Sequence, residues 1–335
     1  MNEVLHIALS ANERYMPGAM VAAAGVAVYA KPETTLHFHL FTEQVKEETY
    51  EFFAKTLVRL HPKTEVTRHE CDENILKDLP YWAGSRMAAV RCHYATLMPS
   101  VDWCLYLDCD VLYLASVEEH FSYCDESVYA CVVQEECAKT RKQEIDWIKD
   151  NCGIVVDEPN YFNSGVVLFN LARMRRNGIP LRLANFFREH QEVPSPDQDA
   201  LNAILANEVR VIPDKFNRLQ IFLDDKKLYE RPVIHYVSGN PWIRKLGVVS
   251  NGRFRLWHAF ADKYITGVKG ASVRKCFAFH ERVIKIVCYR ILSMPVLGRL
   301  VATLFQWLGI IKDADEWYFC QIANDCSINS IDNAI

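Results

Sequence analysis

The chain has 335 residues, half of them hydrophobic and 24% charged, with a formal net charge of -4. That balance suits a globular protein with a sizeable core, built as one large domain or one domain with an appendage. It argues against a dedicated nucleic-acid binder.

Twelve cysteines are scattered, with no CxxC pair and no Cys/His cluster at zinc spacing. Most sit in apolar contexts such as Tyr129-Ala130-Cys131-Val132, the pattern of reduced core thiols in a cytosolic protein. Met1 to Leu9 is too short and too polar for the hydrophobic region of a signal peptide. A cytosolic or cytosol-facing protein is expected.

In chain order, Val4 to Leu9 reads as a strand that runs into a polar turn, Ser10 to Tyr15. Pro17 near a helix start is well placed for the small-residue helix Ala19 to Tyr29. Leu36 to Phe41 is a strand alternating His37 and His39 against Phe38 and Leu40. Glu47 to Leu60 has helical spacing, and Glu65 to Glu70 is a third strand. This alternation predicts an α/β domain with a largely parallel sheet. Ligands bind beyond the carboxyl ends of such strands, which puts Ser10 to Tyr15 at the expected site.

Ser85 to Met98 reads as a helix and Ser127 to Gln134 as a strand. Arg141 to Ile154 reads as a charged, irregular surface excursion. Tyr161 to Asn170 is a turn feeding a buried strand, Pro180 to His190 is helical, and Pro196 to Asn202 opens a helix with acidic residues in its first turn. Val209 to Ile212 and Val233 to Val237 are late strands.

Beyond about Ala261 the character changes. Lys269 to Arg290 is rich in basic residues, and Met294, Leu297, Val301, Leu304, Leu308 and Ile311 trace one helical face. Pro295, Gly298 and Arg299 make this a poor membrane span. It fits an interfacial helix on anionic lipid, or an amphipathic helix packed on the domain. Asp313 to Ile335 reads as a loosely held tail. The expected division is a main α/β domain over 1–265 and a basic, amphipathic helical segment over 266–335.

The stretch carrying most chemistry is Tyr106-Leu107-Asp108-Cys109-Asp110-Val111-Leu112-Tyr113. It reads as one buried parallel strand with two carboxylates inside it. An ionised Asp there costs several kcal/mol unless something positive compensates it. Residues i and i+2 of a strand share a side, so Asp108 and Asp110 converge on one point, and a divalent cation is the simplest occupant. A hydrophobic-DxD-hydrophobic run is the pattern of nucleotide-sugar glycosyltransferases. A strand-end histidine is ordinarily structural. His235, followed by Tyr236 and the Gly239-Asn240-Pro241-Trp242 turn, is nevertheless the candidate third ligand. Two carboxylates, one imidazole and phosphate oxygens suit Mn²⁺ or Mg²⁺.

With these motifs the chain resembles glycosyltransferase family 8 over about residues 4 to 245. These are retaining enzymes of GT-A fold that include bacterial lipopolysaccharide glucosyl- and galactosyltransferases and glycogenin. The resemblance implies a Rossmann-like, mostly parallel sheet with helices on both faces, and a UDP-sugar donor. It implies that Asn12 and Tyr15 hold uracil and ribose, and that Arg91 lies near the donor sugar and phosphate. Asp108, Asp110 and His235 match the metal triad. Asn163 and Gly165 match the F-N-[AS]-G turn of the sugar pocket, and Asp197 and Gln198 match the D-Q-D that faces the sugar's reactive side. Gly239 matches a backbone contact to the diphosphate. Asn240 stands where the family usually has a lysine at the distal phosphate, and a neutral amide cannot stabilise a leaving diphosphate as well.

The implied function is metal-dependent, retaining transfer of glucose or galactose from UDP-glucose or UDP-galactose to a glycan acceptor such as lipopolysaccharide. Gln198 is a poor nucleophile, which favours attack from the leaving-group face over a covalent intermediate. Arg91, Asp197 and Gln198 are the expected catalytic residues. The alternative is a weak or inactive UDP-sugar- or glycan-binding protein. A nucleotidyltransferase ranks last, since Ser10 to Gly18 is no glycine-rich phosphate loop.

Overall fold

The computed structural model describes residues 4–81, 85–190, 192–222, 227–228, 230–237, 239–242 and 251–265, with the helical positions 300, 303, 304 and 307. They fall into two compact units, one within Met1–Arg218 and Val233–His235, the other within Leu219–Pro232 and Tyr236–Ile335.

The first unit begins with three strand–helix repeats. They comprise β1 (Val4–Asn12), α1 (Met16–Tyr29), β2 (Thr35–Glu43), α2 (Glu47–Leu60), β3 (Thr64–Glu70) and the short α3 (Glu73–Leu76). Helix α1 is buried almost all round, as an evenly hydrophobic helix must be, and Pro17 occupies its first turn. Gly25 lets it lie close against the chain: a Cβ there would come within 2.3 Å of the Tyr113 carbonyl oxygen. Helix α2 is amphipathic, burying Phe53, Thr56 and Leu57, with Glu47 and Glu48 in its first turn and Arg59 in its last, as the helix dipole favours.

The segment predicted as one helix over Ser85 to Met98 is a 3-10 helix, Met87–His93, followed by the single-turn α4 (Tyr94–Leu97). Next come β4 (Trp103–Leu107), β5 (Val111–Tyr113), α5 (Val117–Phe121), β6 (Ala130–Gln134) and α6 (Ala138–Cys152). The predicted irregular excursion is therefore a regular helix, ended by Gly153 at φ 66°. Its charge misled because only Glu144 and Ile148 are buried. The chain continues through β7 (Phe162–Asn170), α7 (Leu171–Arg176), α8 (Ile179–Glu189), α9 (Pro196–Leu205), β8 (Val209–Val211), β9 (Arg218–Leu219) and β10 (Val233–His235).

Seven strands form one sheet in the order β3-β2-β1-β4-β7-β6-β8. It is mostly parallel, as predicted, with β7 running antiparallel to both its neighbours. All nine residues of β7 are buried. Strand β5 belongs instead to a small sheet, ordered β5-β10-β9, where it pairs antiparallel with β10. In the second unit, α10 (Asn251–Tyr264) buries Trp257 and Phe260, and Trp257 lies 6.1 Å from the Trp242 ring.

On β1, β2 and β3 the histidines gather on one face: His37 sits beside His6, and His69 beside Phe41. Burial above all, with neighbouring imidazoles, lowers the pKa of His6 and His69 and takes His39 down to about 3. Strand register thus assembles a histidine cluster from residues far apart in sequence. The basic segment 269–290, the tail 313–335 and most of the face traced from Met294 to Ile311 lie outside the described residues. No described helix is long and apolar enough to cross a membrane.

Candidate metal and donor site

Asp108 and Asp110 do not sit within one strand. Strand β4 ends at Leu107, the chain turns through Asp108-Cys109-Asp110, and it enters the second sheet at Val111. Convergence comes from this turn, and both side chains stay partly open while the flanking residues are buried. The turn is anchored: the Asp108 N–H donates to the Gly165 carbonyl at 2.8 Å, and the Cys109 thiol to the Ser10 carbonyl at 3.3 Å.

Antiparallel pairing of β5 with β10 sets His235 level with Val111. Its Nε2 lies 3.3 Å from Asp110 and 3.7 Å from Asp108. One ligand atom from each of Asp108, Asp110 and His235 falls within 4.8 Å of the others. The three side chains singled out in the sequence therefore meet. Burial lowers the His235 pKa, but Asp110 and then Asp108 outweigh it, and the net shift is upward.

Gly165 makes the meeting possible. A Cβ there would come to 2.2 Å from His235 Cε1 and 2.9 Å from an Asp108 oxygen. The neighbouring Asn163 is tied inward rather than free. Its Nδ2 donates to Glu135 at 2.9 Å, and its Oδ1 accepts from the Gly165 N–H at 3.0 Å and from Asn217 Nδ2 at 2.9 Å. Asn217 Oδ1 in turn lies 3.1 Å from His235 Nδ1. With that nitrogen carrying the proton, Nε2 is left with its lone pair toward the carboxylates, as a metal ligand requires. The sequence reading missed Glu135 and Asn217. Nothing local marks them, because their partners lie far along the chain.

Arg91, from the 3-10 helix, is 3% exposed. It donates to Asp108 at 2.7 Å and to the Ser164 carbonyl at 2.6 Å, lies 3.3 Å from Asp197, and stacks 4.1 Å from the centre of the Tyr106 ring. Burial works against its charge, yet Asp108 and Asp197 hold its pKa above the ordinary arginine value. At Asp108, burial raises the pKa, Arg91 opposes it and Asp110 reinforces it, leaving a net rise. The Tyr106 hydroxyl also donates to Asp108.

Asp197 and Gln198 open α9, where acidic groups suit the helix dipole. Asp197 accepts from the Ser164 hydroxyl at 3.2 Å. Gln198 accepts from the Ser164 N–H at 3.0 Å and donates to the Tyr161 hydroxyl at 3.2 Å. Asp199 is fully buried, and burial followed by its neighbour Glu144 pushes it up to about 8.

Asn12 and Tyr15 stand at the carboxyl end of β1, whose neighbour β4 leads to Asp108. Asn12 Oδ1 is buried with no hydrogen-bond partner among the described residues. Glu13 turns away and holds the start of α2, accepting from the Lys46 N–H at 3.0 Å and the Thr49 hydroxyl at 2.8 Å. In the second unit Gly239 takes φ 146°, open to glycine alone, and Asn240 is half-buried.

The Glycosyl transferase family 8 profile matches residues 6–245. The chain belongs to that family. It is 26% identical over 262 residues to lipopolysaccharide glucosyltransferase WaaO of Escherichia coli K12, covering 72% of this chain and 73% of WaaO. It is also 26% identical over 259 residues to lipopolysaccharide 1,3-galactosyltransferase of Salmonella typhimurium, covering 71% of this chain and 72% of the relative. The crystal structure of galactosyltransferase LgtC with donor and acceptor sugar analogues superposes with a TM-score of 0.63 at 20% identity, covering 82% of this chain and all of LgtC. The fold of this family 8 glycosyltransferase is GT-A, with its DxD turn at the carboxyl end of β4.

Proposed function

We propose that the protein transfers a hexose, glucose or galactose, from a UDP-sugar to a glycan acceptor of lipopolysaccharide, with retention and with a divalent cation, Mn²⁺ or Mg²⁺. The observation carrying this reading is the convergence of Asp108, Asp110 and His235 on one point beside Gly165. Two carboxylate oxygens and one imidazole nitrogen fit such a cation, and a relay through Asn217 orients the imidazole. When bound, the cation supplies Lewis-acid stabilisation of the departing diphosphate. The similarity to lipopolysaccharide glucosyl- and galactosyltransferases supports the acceptor class.

The chain's own groups divide the remaining work. Asn12 and Tyr15 receive the uridine, and the orphan Asn12 Oδ1 supports a donor arriving there from the ligand. Arg91 pairs with both Asp108 and Asp197, a positive charge set between two carboxylates beside an anionic substrate. The Asn163–Gly165 turn shapes the sugar pocket, with Asp197 and Gln198 opposite the anomeric carbon. Gly239 and Asn240 meet the diphosphate. Attack comes from the leaving-group face, and a diphosphate oxygen takes the acceptor proton.

Mn²⁺-dependent UDP release, screened over UDP-sugars, tests the reading. Asp110→Ala is expected to abolish it, and survival of release in that variant would remove the metal role. Mass spectrometry of the enzyme after donor turnover should find no glycosyl adduct; trapping one would overturn same-face attack. Asn240 in the lysine position favours a second reading, a UDP-sugar-binding protein without turnover. Tight calorimetric binding of UDP with no release for any acceptor would select it.

We place the catalytic domain at 1–265, on the cytoplasmic side, with 266–335 resting on anionic membrane. Leu304, the described residue of the apolar face, is 49% exposed, which supports that face turning outward. Truncation at Val268 is expected to abolish co-sedimentation with anionic liposomes; unchanged binding would rule the anchor out.

A further inference from the structure

We propose that His6, His37 and His39 form a second metal site, on the face of the sheet made by β1 and β2, which takes an imidazole-preferring transition cation such as Zn²⁺. It is independent of the donor-site reading. One nitrogen from each of the three lies within 4.8 Å of the others. His6 Nδ1 and His39 Nε2 are 3.0 Å apart. A tetrahedral cation with Zn–N bonds of ~2.0–2.1 Å holds its ligand nitrogens about 3.3 Å apart, so this pair already has nearly the required spacing. The His37 ring stacks on His39 with centroids 4.1 Å apart.

The surroundings are those of a ligand set. His39 Nδ1 meets His69 Nε2 at 3.0 Å. When His39 Nε2 binds a cation, its one proton resides on Nδ1 and is donated to His69, the outer contact that fixes tautomer and ring orientation in metal-bound histidines. Glu65 lies 3.8 Å from His37 Nε2 and adds negative charge, while Thr67 bonds the same nitrogen at 2.8 Å. His39 is buried, whereas His6 and His37 are half-buried and leave an approach from solvent.

This face is half-buried, and its composition contrasts with the aliphatic one behind it. The other faces of these strands carry Leu5, Ile7, Leu9, Leu36, Phe38 and Leu40, all buried. Three nitrogens select Zn²⁺, Cu²⁺ or Ni²⁺, whereas the Asp108, Asp110 and His235 set selects an oxygen-loving cation. A cation there would bridge β1 and β2 near their starts, away from the ends that carry Asn12 and Asp108.

The test uses the full chain carrying Asp110→Ala, which cripples the other cluster, titrated with Zn²⁺ in excess Mg²⁺. One zinc per chain and a raised Tm are expected. Adding His6→Gln and His37→Gln should remove both, and His69→Gln alone should weaken binding ~10-fold. Cu²⁺ electron paramagnetic resonance on the Asp110→Ala chain gives a readout that needs no histidine variant. Splitting from two or more imidazole nitrogens supports the site, because the other cluster offers only His235. No zinc uptake by the Asp110→Ala chain, splitting from one nitrogen or none, or undiminished binding by a folded double histidine variant would each overturn it.

Discussion

Gly165→Ala adds one methyl group at the point where Asp108, Asp110 and His235 converge. The new carbon would stand 2.2 Å from His235 Cε1 and 2.7 Å from its Nδ1. Ordinary carbon contact is ~3.5 Å, so the imidazole must retreat by about 1.3 Å or the β7 backbone must give way. Neither is easy, because His235 is buried and held by Asn217, and β7 is an interior strand buried along its whole length. Overpacking of this kind costs roughly 1–3 kcal/mol, which a domain of this size survives. Metal coordination is less tolerant, since ligand distances hold to about 0.2 Å, and a 1 Å misplacement costs on the order of 10²-fold in rate. The variant is therefore expected to fold with a lowered Tm, to bind Mn²⁺ at least ~10-fold more weakly, and to release UDP ~10²-fold more slowly. Gly178→Ala is the control: its φ is 66° and nothing lies within 4 Å of an added Cβ, so it should lower Tm and leave Mn²⁺ affinity alone. A Gly165→Ala protein with wild-type Mn²⁺ affinity and turnover would refute the reasoning.

Asn217→Ala removes the acceptor for His235 Nδ1 and should weaken Mn²⁺ binding by ~10–100-fold while the chain stays folded; unchanged calorimetric affinity would show that the relay does not orient the ligand. Asp199, raised to about 8 by burial and then by Glu144, contributes stability that is complete below its unfolded value near 3.8 and is lost as pH rises to about 8. Asp199→Asn should therefore flatten the fall of Tm between those pH values, and a melting profile that keeps the wild-type slope would contradict the assignment.

The order of strands and helices was legible where one side of an element is buried and the other is not, as in α2. The meeting of Asp108 and Asp110 was legible too, because two carboxylates in an apolar run have few explanations. The path between the carboxylates was not. Leu105 to Tyr113 is apolar on both sides of Asp108-Cys109-Asp110, and periodicity cannot register that the chain has left one sheet and entered another. Helix α6 escaped notice because it buries so little of its surface. Glu135, Asn217 and the histidine face depend on partners far along the chain, which no local pattern encodes.

One guanidinium, that of Arg91, faces both the Asp108 turn and the first turn of α9. On the proposed reading those two places carry separate duties, cation holding and sugar positioning, yet they draw on the same compensating charge. Neutralising Asp197 leaves Arg91 wholly to Asp108 and should loosen the cation as well as the sugar. Apparent sugar-selectivity variants at Asp197 thus ought to display altered manganese requirements, a cross-talk that a double-mutant cycle with Asp108 would quantify.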